Sequence, residues 1–361
     1  MDVPIGAEVS ADTSFLPALT ARRRVKAIVV LVAAALIGVV LCLQYGTERI
    51  PLSEVARILL SPRVAEESIA GVSPAVILWE VRLPRLLLAF LVGASLASVG
   101  VALQALLRNP LADPYILGIS SGAALGAALA IQFGLTWAIG GFTAVQLCAF
   151  LFAAATIGAI YRIAVAEGRI PVQTLLLAGV IINAILSALI LFITSLSDST
   201  SAFRLFFWLM GSLVTLGYDG LGALAVIVAL GIGVLCAQGR NLNLLSLGED
   251  SAQGLGLDVE RIKRVIFVTT AFLTGAAVAV SGLIGFVGMI VPHAVRMVLG
   301  PDHRLLLPAA ALVGGTFLAA ADTVARSLWS PTELPVGVIT ALCGGPFFIY
   351  LLVSHREEAI G

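Results

Sequence analysis

The chain has 361 residues, 60% of them hydrophobic and 12% charged, with a mean hydropathy of +1.07. That composition excludes an ordinary soluble globule and makes lipid the solvent for most of the chain. Its 21 basic and 21 acidic residues cancel, so no overall field draws it to nucleic acid. The four cysteines, Cys42, Cys148, Cys236 and Cys343, each lie in an apolar run without CxxC or Cys/His spacing. They read as small buried hydrophobes, not as disulfide or metal partners.

A membrane span needs about 20 predominantly apolar residues. Charge-free gaps of that order fall at 27–47, 86–107, 114–161, 170–197, 220–239, 265–295, 305–321 and 334–354. The gap 114–161 is too long for one helix, and Gly134 with the Gly140-Gly141 pair breaks it into a hairpin of two. The gap 265–295 holds Gly282, Gly285, Gly288 and Pro292, which suit a full span followed by a short broken one. Ten spans result, so both termini share a face. If that face is the cytoplasm, inner segments hold Arg22, Arg23, Arg24, Lys26, Arg108, Arg162, Arg169, Arg240, Arg261, Lys263, Arg264, Arg296, Arg304 and Arg356. The outer segments hold half as many: Arg49, Arg57, Arg63, Arg82, Arg85, Arg204 and Arg326. Retention of Lys and Arg on the cytoplasmic side of short loops favours this orientation. The arginine cluster at 22–24 then precedes a retained first helix, not a cleaved signal.

The expectation is an all-α, polytopic membrane protein. Residues 1–25 and 354–361 are cytoplasmic tails around one ten-helix domain, 26–353, and the sizeable extramembrane stretches are 46–81 outside and 239–264 inside. Abundant glycine suits close helix contact, because lipid supplies no hydrophobic push between helices. Gly118, Gly122 and Gly126, four apart, form such a face.

The spans are nearly free of ionisable groups. A proton- or sodium-driven transporter usually carries them at mid-membrane, where the coupling ion is bound and released. Asp322 falls near an outer end with Arg326 four residues on, a helical spacing that lets the two pair. A phosphate-cradling loop needs Gly-Lys-Ser/Thr, and the two lysines follow Val25 and Ile262, so this chain cannot hydrolyse ATP and is not an enzyme of that kind. His293, His303 and His355 lie on the cytoplasmic side without HExxH or a cysteine partner and read as caps and loop contacts; no metal or cofactor is expected. If solute moves uphill, energy arrives from a partner.

The inner stretch from Asn241 to about residue 260 mixes leucine, small and acidic residues, punctuated by Gly248, Gly254 and Gly256. It reads as short surface helices, either a solvated connector or a docking knob. Its leucines would enter a groove on a soluble partner, with Glu249 and Asp250 fixing register.

The run Arg82-Leu-Pro-Arg-Leu-Leu-Leu-Ala-Phe, then Asn109-Pro-Leu-Ala-Asp-Pro-Tyr-Ile-Leu-Gly, resembles the FecCD family of ABC-importer permeases, which includes vitamin B12 and haem permeases. Leu247-Gly-Glu-Asp-Ser-Ala-Gln-Gly-Leu-Gly, Gly285-Phe-Val-Gly-Met-Ile-Val-Pro-His, Gly300-Pro-Asp-His-Arg, Ala321-Asp-Thr-Val-Ala-Arg and Glu333-Leu-Pro-Val-Gly are similar too. The resemblance implies a homodimer around a central pathway in the bacterial inner membrane. Two cytoplasmic ATPases would drive it, and a periplasmic binding protein would deliver a large metal chelate: ferric siderophore, haem or cobalamin.

By the same resemblance Leu247, Gly248, Glu249, Asp250, Ala252, Gly254, Leu255 and Gly256 form the segment seated on the ATPase. Arg82 and Arg326 match outward arginines that meet the binding protein; as exposed cations at outer helix ends they would steer and set register. Asn109, before Pro110, matches a position narrowing the cytoplasmic exit, although Asn-Pro also simply stops a helix. A second constriction is implied at Pro171-Val172-Gln173, which departs from the small hydroxyl residues of vitamin B12 permeases. Asn183, Ser187 and Thr194 make their apolar span a candidate pathway wall, unless Asn183 serves as a helix-to-helix hydrogen bond. The rival readings are an ion-coupled transporter working alone and a structural membrane subunit.

Overall fold

The computed structural model describes residues 21–46, 48–60, 73–165, 170–214, 216–329 and 332–358. The first helix, α1 (Ala21–Gln44), starts inside the expected N-terminal tail, so the basic cluster forms its opening turns. Residues 1–20 of that tail lie outside the described residues. A short amphipathic helix, α2 (Leu52–Leu60), follows, and α3 runs unbroken over Pro74–Leu106 through a π-helical turn at Ile77–Arg82. The 48-residue gap resolves as the hairpin: α4 (Ile119–Gln132), a two-residue ribbon of β1 (Ala138–Ile139) and β2 (Phe142–Thr143), then α5 (Ala144–Ala164). The ribbon is antiparallel, with Ala138 opposite Thr143. Thr143 opens α5 with a reciprocal box, its hydroxyl accepting from Gln146 N–H while the Gln146 side chain accepts from Thr143 N–H.

Next come α6 (Val172–Leu196), α7 (Ser199–Leu209), α8 (Tyr218–Ala237), α9 (Gly239–Leu245) and α10 (Glu249–Gly254). The chain closes with α11 (Val259–Ser281), α12 (Val287–Leu299), α13 (His303–Ser327) and α14 (Val336–Glu358). Seven helices are long and apolar enough to cross a membrane among the described residues, and three shorter apolar ones are α4, α12 and the Val336–Tyr350 part of α14. These ten coincide with the ten expected spans. The last continues through Glu358, so the expected C-terminal tail is partly helical. The break between α11 and α12 falls where glycine and proline predicted it, with Gly282 at φ +66° and Phe286 at φ +69°.

At the centre stands α3, buried along nearly its whole membrane length and flanked by α11, α12 and α13. Glycine lets these backbones touch. A Cβ on Gly100 would lie 1.7 Å from the Gly288 carbonyl oxygen, and one on Gly93 2.2 Å from that of Gly314. In lipid this close approach gathers the dispersion energy that holds helices together. Gly122 and Gly126 likewise seat α4 on α5, against Thr156 and the Cys148 carbonyl, whereas Gly118 precedes α4 and faces Gly179 and Asn183 of α6. The cysteines are free but not fully buried: Cys42, Cys148 and Cys236 are half-buried and Cys343 is exposed. A small thiol side chain behaves as an apolar group and needs no protein cover at a lipid-facing position, which the burial expectation overlooked.

Candidate functional site

At the outer end, the expectation of exposed arginines fails. Arg82 is 2% and Arg326 4% exposed. The π-helical turn carries Arg82 inward, where Nη1 donates to Leu43 O at 2.8 Å and Gln44 O at 3.2 Å, and Nη2 donates to Glu48 O. It thus binds the carbonyls left free where α1 ends. Arg326 does lie beside Asp322, Nε to Oδ2 3.3 Å, but the pair is covered by the protein. The group that dominates this corner is Arg85: its Nε and Nη2 approach the Asp322 carboxylate at 3.0–3.1 Å and its Nη1 reaches Glu333 at 2.7 Å. A buried charge in hydrocarbon is tolerated only when paired, and here α3, α13 and the segment before α14 are joined by that pairing. Arg85 stood in the sequence beside Arg82 without a visible partner, because Asp322 is 237 residues away.

The inner end is organised around α9, α10 and the first turns of α11 and α13. Asn243 Nδ2 donates to Asp302 at 2.8 Å, while Asn243 Oδ1 accepts from His303 N–H at 2.8 Å and from His303 Nδ1 at 2.7 Å. His303 is therefore a structural contact carrying its proton on Nδ1. Burial pushes the Asp302 carboxyl up, but Arg304 and Asn243 outweigh it and bring it down to about 2. The segment predicted to meet an ATPase is largely uncovered: Leu247 is 64% and Leu255 62% exposed, Asp250 and Gly254 also face solvent, and Gly248 and Gly256 take positive φ. Two members depart from that expectation. Ala252 is fully buried, and Glu249 turns back to the Lys263 ammonium at 3.0 Å. Lys263 drew no attention in the sequence beyond its topology, since an isolated lysine in a cytoplasmic segment reads as solvated.

Asn109 and Pro110 are exposed at the end of α3, where Asn109 Oδ1 accepts from Leu111 N–H at 2.9 Å. With Gln104, Arg108, Leu247 and Arg296 they line a cavity of about 1100 Å³ at the end of the protein that carries α9 and α10. Asn109 thus both stops the helix and borders this vestibule. Val172 is half-buried and Gln173 exposed in the first turn of α6. Farther along α6, Asn183 Oδ1 accepts from Ser121 Oγ of α4, the helix-to-helix bond that was its simpler reading, and Thr194 bonds back to Ile190 O at 2.7 Å. Ser187 is exposed. Among the described residues of α6 only Leu175, Ala178, Gly179 and Ile190 are buried, so one long face of this helix is bare in the single chain.

The model of the FecCD transport family matches residues 34–354. The chain belongs to this family. It is 42% identical over 358 residues to the cobalamin import system permease protein BtuC of Halobacterium salinarum, covering 99% of this chain and 87% of that protein. With the hemin transport system permease protein HmuU of Yersinia pestis it shares 43% identity over 285 residues, 78% of this chain and 84% of the other. A solved ABC transporter in an inward-facing conformation superposes with a TM-score of 0.77 and 34% identity, covering 91% of this chain and 99% of that one. This FecCD protein is accordingly a multi-pass transport permease of the ABC-importer type.

Proposed function

We propose that this FecCD permease carries a large metal chelate, cobalamin, haem or a ferric siderophore, into the cell. It would do so between two copies of itself, in the bacterial inner membrane with both termini cytoplasmic. The bare face of α6, with Ser187 and half-buried Asn183, lines the pathway against the second copy. A weakly polar wall suits a bulky cargo selected elsewhere, because tight binding midway would slow release. The vestibule at Asn109 and Pro110 forms the cytoplasmic exit, and Val172 and Gln173 at the start of α6 border its constriction.

The observation that carries this reading is the state of the buried charges. Arg82, Lys263, Asp322 and Arg326 are each already held by carbonyls or by opposite charges. None is left to take up and release a coupling ion. Work then enters from outside the chain. Two cytoplasmic ABC ATPases seat on Leu247, Asp250 and Leu255, and their nucleotide cycle moves the segment Leu247–Gly256. At the other face Arg82, Arg85 and Arg326 stand with Asp322, Glu333 and Glu48, a mixed-charge corner that would meet a periplasmic binding protein. Arg85 and Glu333 would touch that protein, and the buried Arg82 and Arg326 hold them in place from beneath.

Reconstitution in liposomes tests the reading. Uptake of cyanocobalamin, hemin or ferrichrome should require the ATPase, ATP and the matching binding protein together. Accumulation driven by a proton or sodium gradient, with this chain alone, would refute it in favour of an ion-coupled transporter. No uptake under either regime, with thiol reagents unable to reach cysteines placed along α6, would instead leave a structural subunit.

A further inference from the structure

The ammonium of Lys263, one turn into α11, is 3% exposed and meets three elements at once. It lies 3.0 Å from Glu249 Oε2 at the start of α10 and 2.6 Å from Glu260 Oε1 on its own helix, and it donates to the Ile170 carbonyl at 2.9 Å. Glu260 Oε2 in turn accepts from Ile170 N–H at 2.8 Å. Both polar groups of residue 170 are thus gripped by the first turn of α11. Ile170 immediately precedes Pro171, the N-cap of α6, which offers no side-chain cap. The grip stands where a cap would, and the Glu260 carboxylate also suits the positive end of the helix dipole.

We propose that Lys263 is a positioning residue that passes movement of α10 to the start of α6, resting on the reading of α10 as the ATPase-driven segment. The three helices differ in how firmly they are held. The most apolar stretch of α11 is 72% buried, against 17% for α6. The former is packed on most sides; the latter is held along one side only, by α4, α5 and the turn before α4. Glu249 is 37% exposed on its side of the ammonium, so a pull on α10 can draw it into water, whereas Lys263 and Glu260 cannot follow without leaving a buried charge unmatched. When Glu249 leaves, the ammonium rebalances toward Glu260 and the Ile170 carbonyl, and the grip on α6 tightens; when it returns, the grip relaxes. One lysine therefore joins nucleotide-driven displacement to the helix proposed to border the exit, without using the chain between them.

The test needs no knowledge of the cargo. Gln173, exposed in the first turn of α6, is replaced by cysteine in a background whose native cysteines are alanine. Its labelling by a membrane-impermeant maleimide is followed in the ATPase-bound transporter with and without ATP and vanadate. With Lys263 intact the labelling rate should differ about fivefold or more between the two states, within the range of ordinary allosteric couplings. Lys263→Met should reduce that difference to less than about twofold while ATP is still hydrolysed, and Lys263→Arg should restore most of it. A full nucleotide-dependent difference in Lys263→Met overturns the proposal. Should that variant not fold, Glu260→Gln decides: it keeps an oxygen for Ile170 N–H but removes a charge beside the ammonium, and an unreduced difference again overturns the proposal. If the intact protein neither binds an ATPase nor changes its labelling, the importer reading itself has failed. An intact response that persists without Lys263 defeats only the role assigned to this residue.

Discussion

Removing the charge of Asp322 tests whether the outer arginines are architecture or a docking surface. The carboxylate is fully buried and receives Arg85 through Nε and Nη2 at 3.0–3.1 Å, with Arg326 Nε at 3.3 Å. In Asp322→Asn the amide oxygen can still accept from Arg85, but the opposite charge left to Arg85 is the half-exposed Glu333 at 2.7 Å, and Arg326 keeps a long bond to Thr323 at 3.4 Å. Two guanidiniums then face each other in a poorly hydrated corner. Breaking a buried pair by removing one partner typically costs about 3–5 kcal/mol. For a chain of 361 residues that corresponds to a melting temperature lower by about 4–7 °C. The assay is thermal unfolding in detergent, read with a thiol-reactive dye on the half-buried cysteines. Arg82→Gln, which frees two α1 carbonyls and Glu48 O, should also destabilise. If both variants melt like the parent and differ only in slower association of the binding protein, the arginines are docking residues and the structural account here is wrong.

At the inner end, Asp250→Lys with Leu255→Ser alters only exposed side chains and should change stability by no more than about 0.5 kcal/mol, while the ATPase no longer co-purifies. Retained co-purification would remove the segment from the docking surface. Gly100→Ala places a methyl within 1.7 Å of the Gly288 carbonyl and should cost at least about 1–3 kcal/mol by overpacking, visible as loss of a monodisperse elution profile. Burial raises the Asp113 carboxyl to about 6, against the opposing pull of Tyr115 N–H. A folded value above the unfolded 3.8 stabilises the protein at low pH, and that contribution is lost as pH rises through 6. Stability should therefore decline between about pH 4 and 6 by up to about 3 kcal/mol, and Asp113→Asn, which still caps the following turn, should flatten the decline. An unchanged pH profile in that variant would contradict it.

The membrane helices were legible because lipid makes each unpaired charge expensive, so the gaps between charges locate the spans, although α1, α3, α11 and α13 run on past them into turns that carry charge. The break at Gly282 and Phe286 was legible for a related reason, glycine and proline being the residues a long helix excludes. What stayed hidden depends on long-range pairing. Arg82 was read as exposed because helix ends usually are, and only the π-helical turn of α3 reveals that it faces the end of α1. Lys263 and Ile170 are 93 residues apart, and no periodicity links a lysine to a backbone carbonyl. The helix α7 escaped notice as well, although Asp198, which caps it by accepting from Thr200 N–H and Ser201 N–H, supplied a start signal in the sequence.

Charge and glycine divide the labour along the membrane normal. Ionic ties gather at the two faces: Arg85 with Asp322 outside, Lys263 with Glu249 and Glu260 inside. Between them α3 meets its neighbours through glycine–carbonyl contacts and buried apolar side chains, with Ser95 Oγ donating to Leu273 O at 3.2 Å. Ionic ties in a low-dielectric setting are strong but short in reach, whereas apolar backbone contacts resist separation more than sliding. A protein joined in this way bends at its ends and holds its middle. Among the described residues α6 has polar ties to α4 at two points, Ser121 to Asn183 at mid-helix and Ser197 to Gln132 at its C-terminal end, while its N-terminal end is held at Ile170. On the reading proposed above, movement imposed at that N-terminal end would therefore turn α6 against these two ties rather than displace it bodily.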